Sequence, residues 1–140
     1  MGDEERTVEG FIDWAGDGRI NVTFEGLPKL VVEEAKGEGL SAAHFLLTAV
    51  AGCLSGSLLY CLNKAKTEPK AFSAKAKLFL HRVEGRLRVK GINVTLLPVF
   101  EGEVPKRAER CFAIFRDYCT VTESVVKGIN VNVEVKPEAK

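Results

Sequence analysis

The 140-residue chain holds only two histidines, His44 and His81, and none of its four cysteines belongs to a CxxC pair. A structural zinc site needs four nitrogen or sulfur ligands, usually supplied as two close pairs. Cys53, Cys61, Cys111 and Cys119 are instead spaced 8, 50 and 8 residues apart, so neither a metal nor another cofactor is expected. Net charge is nearly absent as well: 20 basic and 19 acidic side chains leave +1. Lys and Arg alternate with Glu and Asp, no basic stripe forms, and no nucleic-acid partner is expected. The opening "MGDEERT" is polar and acidic rather than an apolar leader, which sets the cytoplasm as the expected location. In that reducing compartment four cysteines are not read as a disulfide framework. No repeat, linker or low-complexity tract interrupts the chain, and its length suits a single domain spanning residues 1–140.

What is present begins with a two-residue period. "TVEGFIDW" puts Val8, Ile12 and Trp14 on one parity. After the turn "AGDGR", "INVTFEG" sets Ile20, Val22 and Phe24 against Asn21, Thr23 and Glu25, and "LVV" near Leu30 continues the series. These are three short strands joined hairpin to hairpin. A second antiparallel pair follows Pro69: "AFSAKAKLFLHRV", a turn at Glu84 and Gly85, then "RLRVKGINVTLLPVF". The apolar parity of its return strand shifts between Val89 and Ile92, which places a bulge near Gly91. Pro105 opens a helix carrying Ala108, Cys111, Phe112 and Phe115, "TESVVKG" makes a short second helix stopped by Gly128, and "INVNVEV" (129–135) alternates as a closing strand.

Between the two strand groups lies a helix. Ser41 suits its N-cap, and no charge occurs from Phe45 to Leu62. On a helical wheel Ala49, Gly52, Cys53, Gly56 and Tyr60 share one face, with Leu47, Ala51, Leu54, Leu58 and Leu62 opposite. A helix apolar all round is either buried on all sides or lies in a membrane. Its glycines and serines, and flanking amphipathic strands that need a core to cover, favour burial, so no membrane is expected. The order βββ-α-ββ-αα-β defines an α+β fold, with antiparallel sheets around a long buried central helix. One small sheet cannot cover such a helix, and its small-residue face admits another helix closely. A homodimer, with the two long helices packed between the sheets of both subunits, is therefore expected.

Free cysteine usually behaves as a small buried hydrophobe, and Cys61 and Cys111, each among apolar neighbours, are read that way. Cys119 lies where one helix ends and another begins, so helix N–H groups can stabilise its thiolate. Cys53 has open space beside Gly52 and Gly56, but a buried mid-helix thiol needs a partner such as Arg19 to ionise. On these grounds Cys53 and Cys119 are equal candidates for redox chemistry.

"SAAHFLLTAVAGCLSGSLLY" resembles the long central helix of the OsmC/Ohr family, and "YCTVTESV" resembles that family's second cysteine motif. The likeness extends over nearly the whole chain, through the order of elements, the 66-residue separation of the two cysteines and the terminal alternating strand. It implies a thiol-dependent peroxidase acting on organic hydroperoxides, with hydrogen peroxide as a second substrate left open, and an intertwined homodimer with active sites at the subunit interface. By that likeness Cys53 is the peroxidatic thiol, Cys119 the resolving thiol and Arg19 the activating cation. An external dithiol or a lipoylated protein is the reductant. The chain departs from the family pattern at Ala43, where a Glu is common, at Ala42 and at Thr120, where proline is usual. His44, beside Ala43, is the accessory candidate. Two other functions stay open: a related redox protein with weak or no peroxidase activity, and a protein that binds a hydrophobic ligand in the dimer cleft.

Overall fold

The structure, a computed structural model, describes residues 5–34 and 38–139. It divides within its longest helix into two compact units, residues 1–48 and 49–140.

In the first unit β1 (Phe11–Gly16), β2 (Arg19–Thr23) and β3 (Leu30–Glu33) form an antiparallel sheet in chain order. Asp17 and Gly18 form the tip of the first hairpin with φ of 52° and 72°, the positive values its tight turn requires. Pairing of Ile12 with Val22, Trp14 with Ile20, Ile20 with Val32 and Val22 with Leu30 places all six apolar side chains on one face. Val32 is buried on that face, whereas Ile12 and Trp14 are 59% and 80% exposed. The helix α1 (Ala42–Lys64) starts in this unit. Phe45 N–H donates to the Ser41 carbonyl at 3.2 Å, which makes Ser41 the expected N-cap.

The second unit holds the rest of α1, then β4 (Ala71–Val83), β5 (Arg86–Val99), α2 (Lys106–Ile114), a 3-10 turn (Phe115–Tyr118) and α3 (Thr120–Lys127). Glu84 and Gly85 close the β4–β5 hairpin with positive φ. Phe79 pairs with Gly91 and Leu80 with Val89, so Lys90 is the extra residue of the expected bulge. The core joins Leu58 and Leu62 of α1 to Ala108 and Cys111 of α2, with Phe72, Leu96 and Phe100 packed around them. Gly128, with φ of 81°, ends α3 as its pattern required.

Two expectations are corrected. The helix α1 is not buried all round: Val50, Leu54, Leu58 and Leu62 are buried, one stripe at four-residue spacing, while Tyr60 is 64% exposed. One chain supplies cover for one stripe only. By length and composition α1 could also cross a membrane. Residues 129–135 are not a strand among the described residues. Ile129, Val131, Val133 and Val135 keep their alternation and stay exposed, because a strand exists only when an edge is there to pair with it.

The end of α1 fixes the entry into β4. Lys66 N–H bonds the Asn63 carbonyl at 3.0 Å and Thr67 N–H bonds that of Leu62 at 2.9 Å, a Schellman closure with Lys66 at φ 57°. A side chain in this left-handed conformation is strained, and glycine is not. Lys66→Gly is expected to raise stability by about 0.5–1 kcal/mol in urea unfolding, provided the m-value is unchanged.

Candidate active site

Val50, Cys53, Ser57 and Cys61 fall within about 80° of one another on α1, because their spacings of three and four residues follow the helical turn. This stripe meets the α2–α3 segment in antiparallel order. The Thr122 hydroxyl donates to the Val50 carbonyl at 3.4 Å, the Cys119 thiol lies 3.3 Å from the Ser57 hydroxyl, and Cys61 is disulfide-bonded to Cys111.

The local sequence explains how Cys119 reaches α1. The 3-10 turn ends there, with Cys119 N–H bonded to the Arg116 carbonyl at 3.0 Å, and Cys119 takes the extended conformation of an N-cap. Its carbonyl accepts the first α-helical bond from Glu123 N–H, but its side chain does not cap its own helix. Across the turn, Arg116 Nε and Nη2 both reach Glu123 Oε2, at 3.2 and 3.0 Å. An ion pair this exposed is worth about 0.2–1 kcal/mol and serves chiefly to hold the bend.

At the centre of the stripe, the sulfur of Cys53 receives the first turn of α3. Burial pushes its thiol pKa up, but hydrogen bonds from the Thr122 backbone, the Cys119 thiol, the Val121 backbone and the Thr122 hydroxyl prevail, and the net shift is downward. Free N–H groups and the positive end of a helix dipole favour a thiolate there. Cys119 moves the other way. Burial raises its pKa most; the Ser57 and Thr122 hydroxyls oppose that, while donation to Cys53 and repulsion from its charge add to it. Cys53 is half-buried and Cys119 is buried. Gly52 and Gly56 leave open space beside the helix, as their size implied.

The two thiols, equal candidates from the sequence, thus differ in direction: the Cys53 pKa is shifted down and that of Cys119 up. The α3 N-terminus, expected to favour a Cys119 thiolate, instead lowers the pKa of Cys53, while the Cys119 thiol lies against Ser57 and does not cap α3. Ser57, Val121 and Thr122 escaped the sequence reading. The four-residue steps from Cys53 to Ser57 to Cys61 were the available signal.

Cys61 and Cys111 require a correction, since they are bonded and not separate small hydrophobes. Their Cα atoms stand 5.8 Å apart, inside the range a disulfide spans. Closing a loop of 50 residues restricts the unfolded chain by about 4 kcal/mol. Cys111 is nonetheless core, at 2% exposure.

Arg19 opens β2 in the first unit, opposite Gly16 and Glu33. His44 also lies there, with Nδ1 3.0 Å from the Ser41 N–H and 2.9 Å from its hydroxyl. It thereby fills the third-residue place of a capping box, the task a Glu or Gln usually performs. Ala43 follows Ala42, whose N–H donates to Glu34 Oε1 at 3.3 Å. An open hollow of about 780 Å³ beside Val8, Phe11, Phe24 and Leu27 contains no thiol among its lining residues.

The sequence profile of the OsmC-like protein family matches residues 35–134, and the chain belongs to that family. Solved structures agree on the fold. An OsmC-like protein from Mycoplasma pneumoniae superposes with a TM-score of 0.72 at 11% identity, covering 94% of this chain and 98% of its own. The organic hydroperoxide resistance protein OhrB of Bacillus subtilis gives 0.63 at 14% identity, with the same coverage. An organic hydroperoxide resistance protein OsmC from Legionella pneumophila gives 0.62 at 17% identity over 88% of this chain and 91% of its own. No curated protein matches the sequence.

Alkylation of the two free thiols as a function of pH tests the assignment. The midpoint for Cys53 should lie below that of an ordinary cysteine and the midpoint for Cys119 above it. Cys119→Ala removes one donor to the Cys53 thiolate and should move the Cys53 midpoint up. Equal midpoints in the wild type, or no response to Cys119→Ala, would refute it.

Proposed function

We propose that the protein is a two-cysteine peroxidase for organic hydroperoxides. The observation that carries this reading is the seating of Cys119 and the first turn of α3 on α1 around Cys53, with Cys119 3.3 Å from Ser57 and Thr122 3.4 Å from the Val50 carbonyl, about one turn to either side. The Cys53 thiolate attacks the outer oxygen of ROOH, the O–O bond breaks, and RO⁻ takes a proton to leave as ROH. Cys53 is left as a sulfenic acid. Cys119 then attacks the Cys53 sulfur, hydroxide leaves with a proton as water, and a Cys53–Cys119 disulfide remains. An external dithiol, free or lipoyl-bound, reduces it by exchange and becomes a cyclic disulfide.

The two thiols are activated in sequence. Burial raises the Cys119 pKa most, and while Cys53 is a thiolate, donation to it and repulsion from its charge raise it further. Conversion of Cys53 to a neutral sulfenic acid removes both restraints, so Cys119 becomes easier to ionise when its nucleophile is needed. Arg19 is the cation of this reading that activates the Cys53 thiolate.

The working form in this reading is a homodimer in the cytoplasm. Supporting it are the uncovered face of α1 around Gly52, Gly56 and Tyr60, the exposed Ile12 and Trp14, and the unpaired 129–135 segment. A second copy brings to each of these the apolar cover and sheet edge that one chain lacks.

Consumption of an organic hydroperoxide with excess dithiol, measured beside hydrogen peroxide, tests the function. Wild type should turn over the organic substrate faster. Cys53→Ser should be inactive, and Cys119→Ser should stop after one equivalent without a disulfide. Arg19→Gln should lower kcat/KM by about 10²-fold with the fold intact. Unreactive thiols together with a co-purified apolar ligand would overturn the peroxidase in favour of a binding protein.

A further inference from the structure

Beneath the reacting pair lies a second cysteine pair on the same stripe. Cys61 follows Cys53 by eight residues along α1, and Cys111 precedes Cys119 by eight along the antiparallel segment. The two pairs are therefore nested at two levels of one seam. At the upper level lie Val50, Cys53 and Ser57 with Thr122 and Cys119; at the lower level Cys61 is covalently joined to Cys111.

What holds the seam otherwise is modest. The buried core there is Leu58, Leu62, Ala108 and Cys111. The upper level consists of hydrogen bonds at 3.3–3.4 Å and the sulfur contacts of Cys53. From Cys111 the chain runs through the rest of α2 and the four-residue 3-10 turn straight into Cys119. No linker separates them, so a shift of α2 along α1 is passed to Cys119 and to the amides of Val121 and Thr122. Attack on a sulfenic acid tolerates little such shift, since an error of about 1 Å costs about 10²-fold in rate.

The geometry points to the Cys61–Cys111 disulfide as a positioning bond, which sets the register of α2–α3 on α1 so that Cys119 and the α3 N-terminus meet Cys53, and which stays closed while Cys53 and Cys119 turn over. This rests on the peroxidase reading for what is positioned. The bond itself is independent of it. Its persistence follows from placement: Cys111 belongs to the core and Cys61 packs against it together with Phe72, Leu96 and Phe100, whereas Cys53 lies beside the open space at Gly52 and Gly56.

Thiol counting on native protein held in a mild dithiol is the first arm. Two alkylatable thiols, Cys53 and Cys119, are expected, and four after unfolding in the same reductant. Four in the native state would overturn the claim that the bond stays closed. The second arm is Cys61→Ala/Cys111→Ala, studied at a temperature where circular dichroism shows it folded. After one equivalent of hydroperoxide, the Cys53–Cys119 disulfide should form about tenfold more slowly. With a second equivalent of hydroperoxide, sulfinic acid at Cys53, about 32 Da heavier than the thiol, should accumulate in its place. The pH midpoint for Cys53 alkylation should rise. A bond that only added stability would lower Tm and leave all three unchanged, which would overturn positioning. Should the double variant not fold, the same midpoint is read on wild type whose bridge has been opened by a phosphine. No rise there overturns the proposal as well. Failure of hydroperoxide to oxidise wild-type Cys53 would sink the peroxidase reading alone, because the thiol count and alkylation midpoint use no peroxide.

Discussion

One face of α1 lying against α2 and α3 determines everything chemical in the second unit. Helical spacing puts Val50, Cys53, Ser57 and Cys61 in line, and the opposing segment answers with Thr122, Cys119 and Cys111 in reverse order. Each contact alone is small. A hydrogen bond contributes about 1 kcal/mol net, and the exposed Arg116–Glu123 pair no more. The apolar closure of Leu58 and Leu62 on Ala108 supplies the attraction, and the Cys61–Cys111 bond removes the freedom to slide. Directional groups above can then be weak individually and still well placed.

That arrangement lowers the pKa of a thiol in the middle of an apolar helix. Burial opposes charge on both free thiols, and the difference between them is that Cys53 gains the backbone donors of Val121 and Thr122 while Cys119 donates to Cys53. The backbone of α3 supplies N–H groups that need no side chain and no ionisable partner. An alanine at position 43, where the family commonly carries a Glu, leaves this source of stabilisation intact. The cost of the arrangement falls on Cys119, which must stay protonated to donate.

Much of the architecture was legible because it depends on local period. The hairpin turns at Asp17–Gly18 and Glu84–Gly85, the bulge at Lys90, the long helix and the stop at Gly128 all follow from residues within a few positions of each other. The wheel also separated the leucine stripe that is buried from the small-residue face that is open. Illegible were the features set by what lies across the seam. Cys61 and Cys111 look like ordinary small hydrophobes until α2 is laid on α1, and Ser57 looks like a tolerated polar residue until Cys119 points at it. His44 shows the converse: its position suggested chemistry, and its ring nitrogen is engaged with Ser41 at the helix start. The 129–135 segment has the alternation of a strand, but alternation specifies a face and not a partner, and no described edge pairs with it.

The surface left open by one chain bears on the same chemistry. Tyr60 and Trp14 are 64% and 80% exposed, far more than large aromatic side chains usually tolerate in an isolated globule. Cys53 stands on the helix between the buried stripe and the open glycine face, so whatever covers Gly52 and Gly56 also limits what reaches its sulfur. Cover by apolar groups would exclude water, strengthen the hydrogen bonds from Val121 and Thr122, and favour entry of an apolar hydroperoxide over a small hydrated one. Substrate preference would then be set by the surface that completes the helix, while thiolate formation is set by the seam behind it.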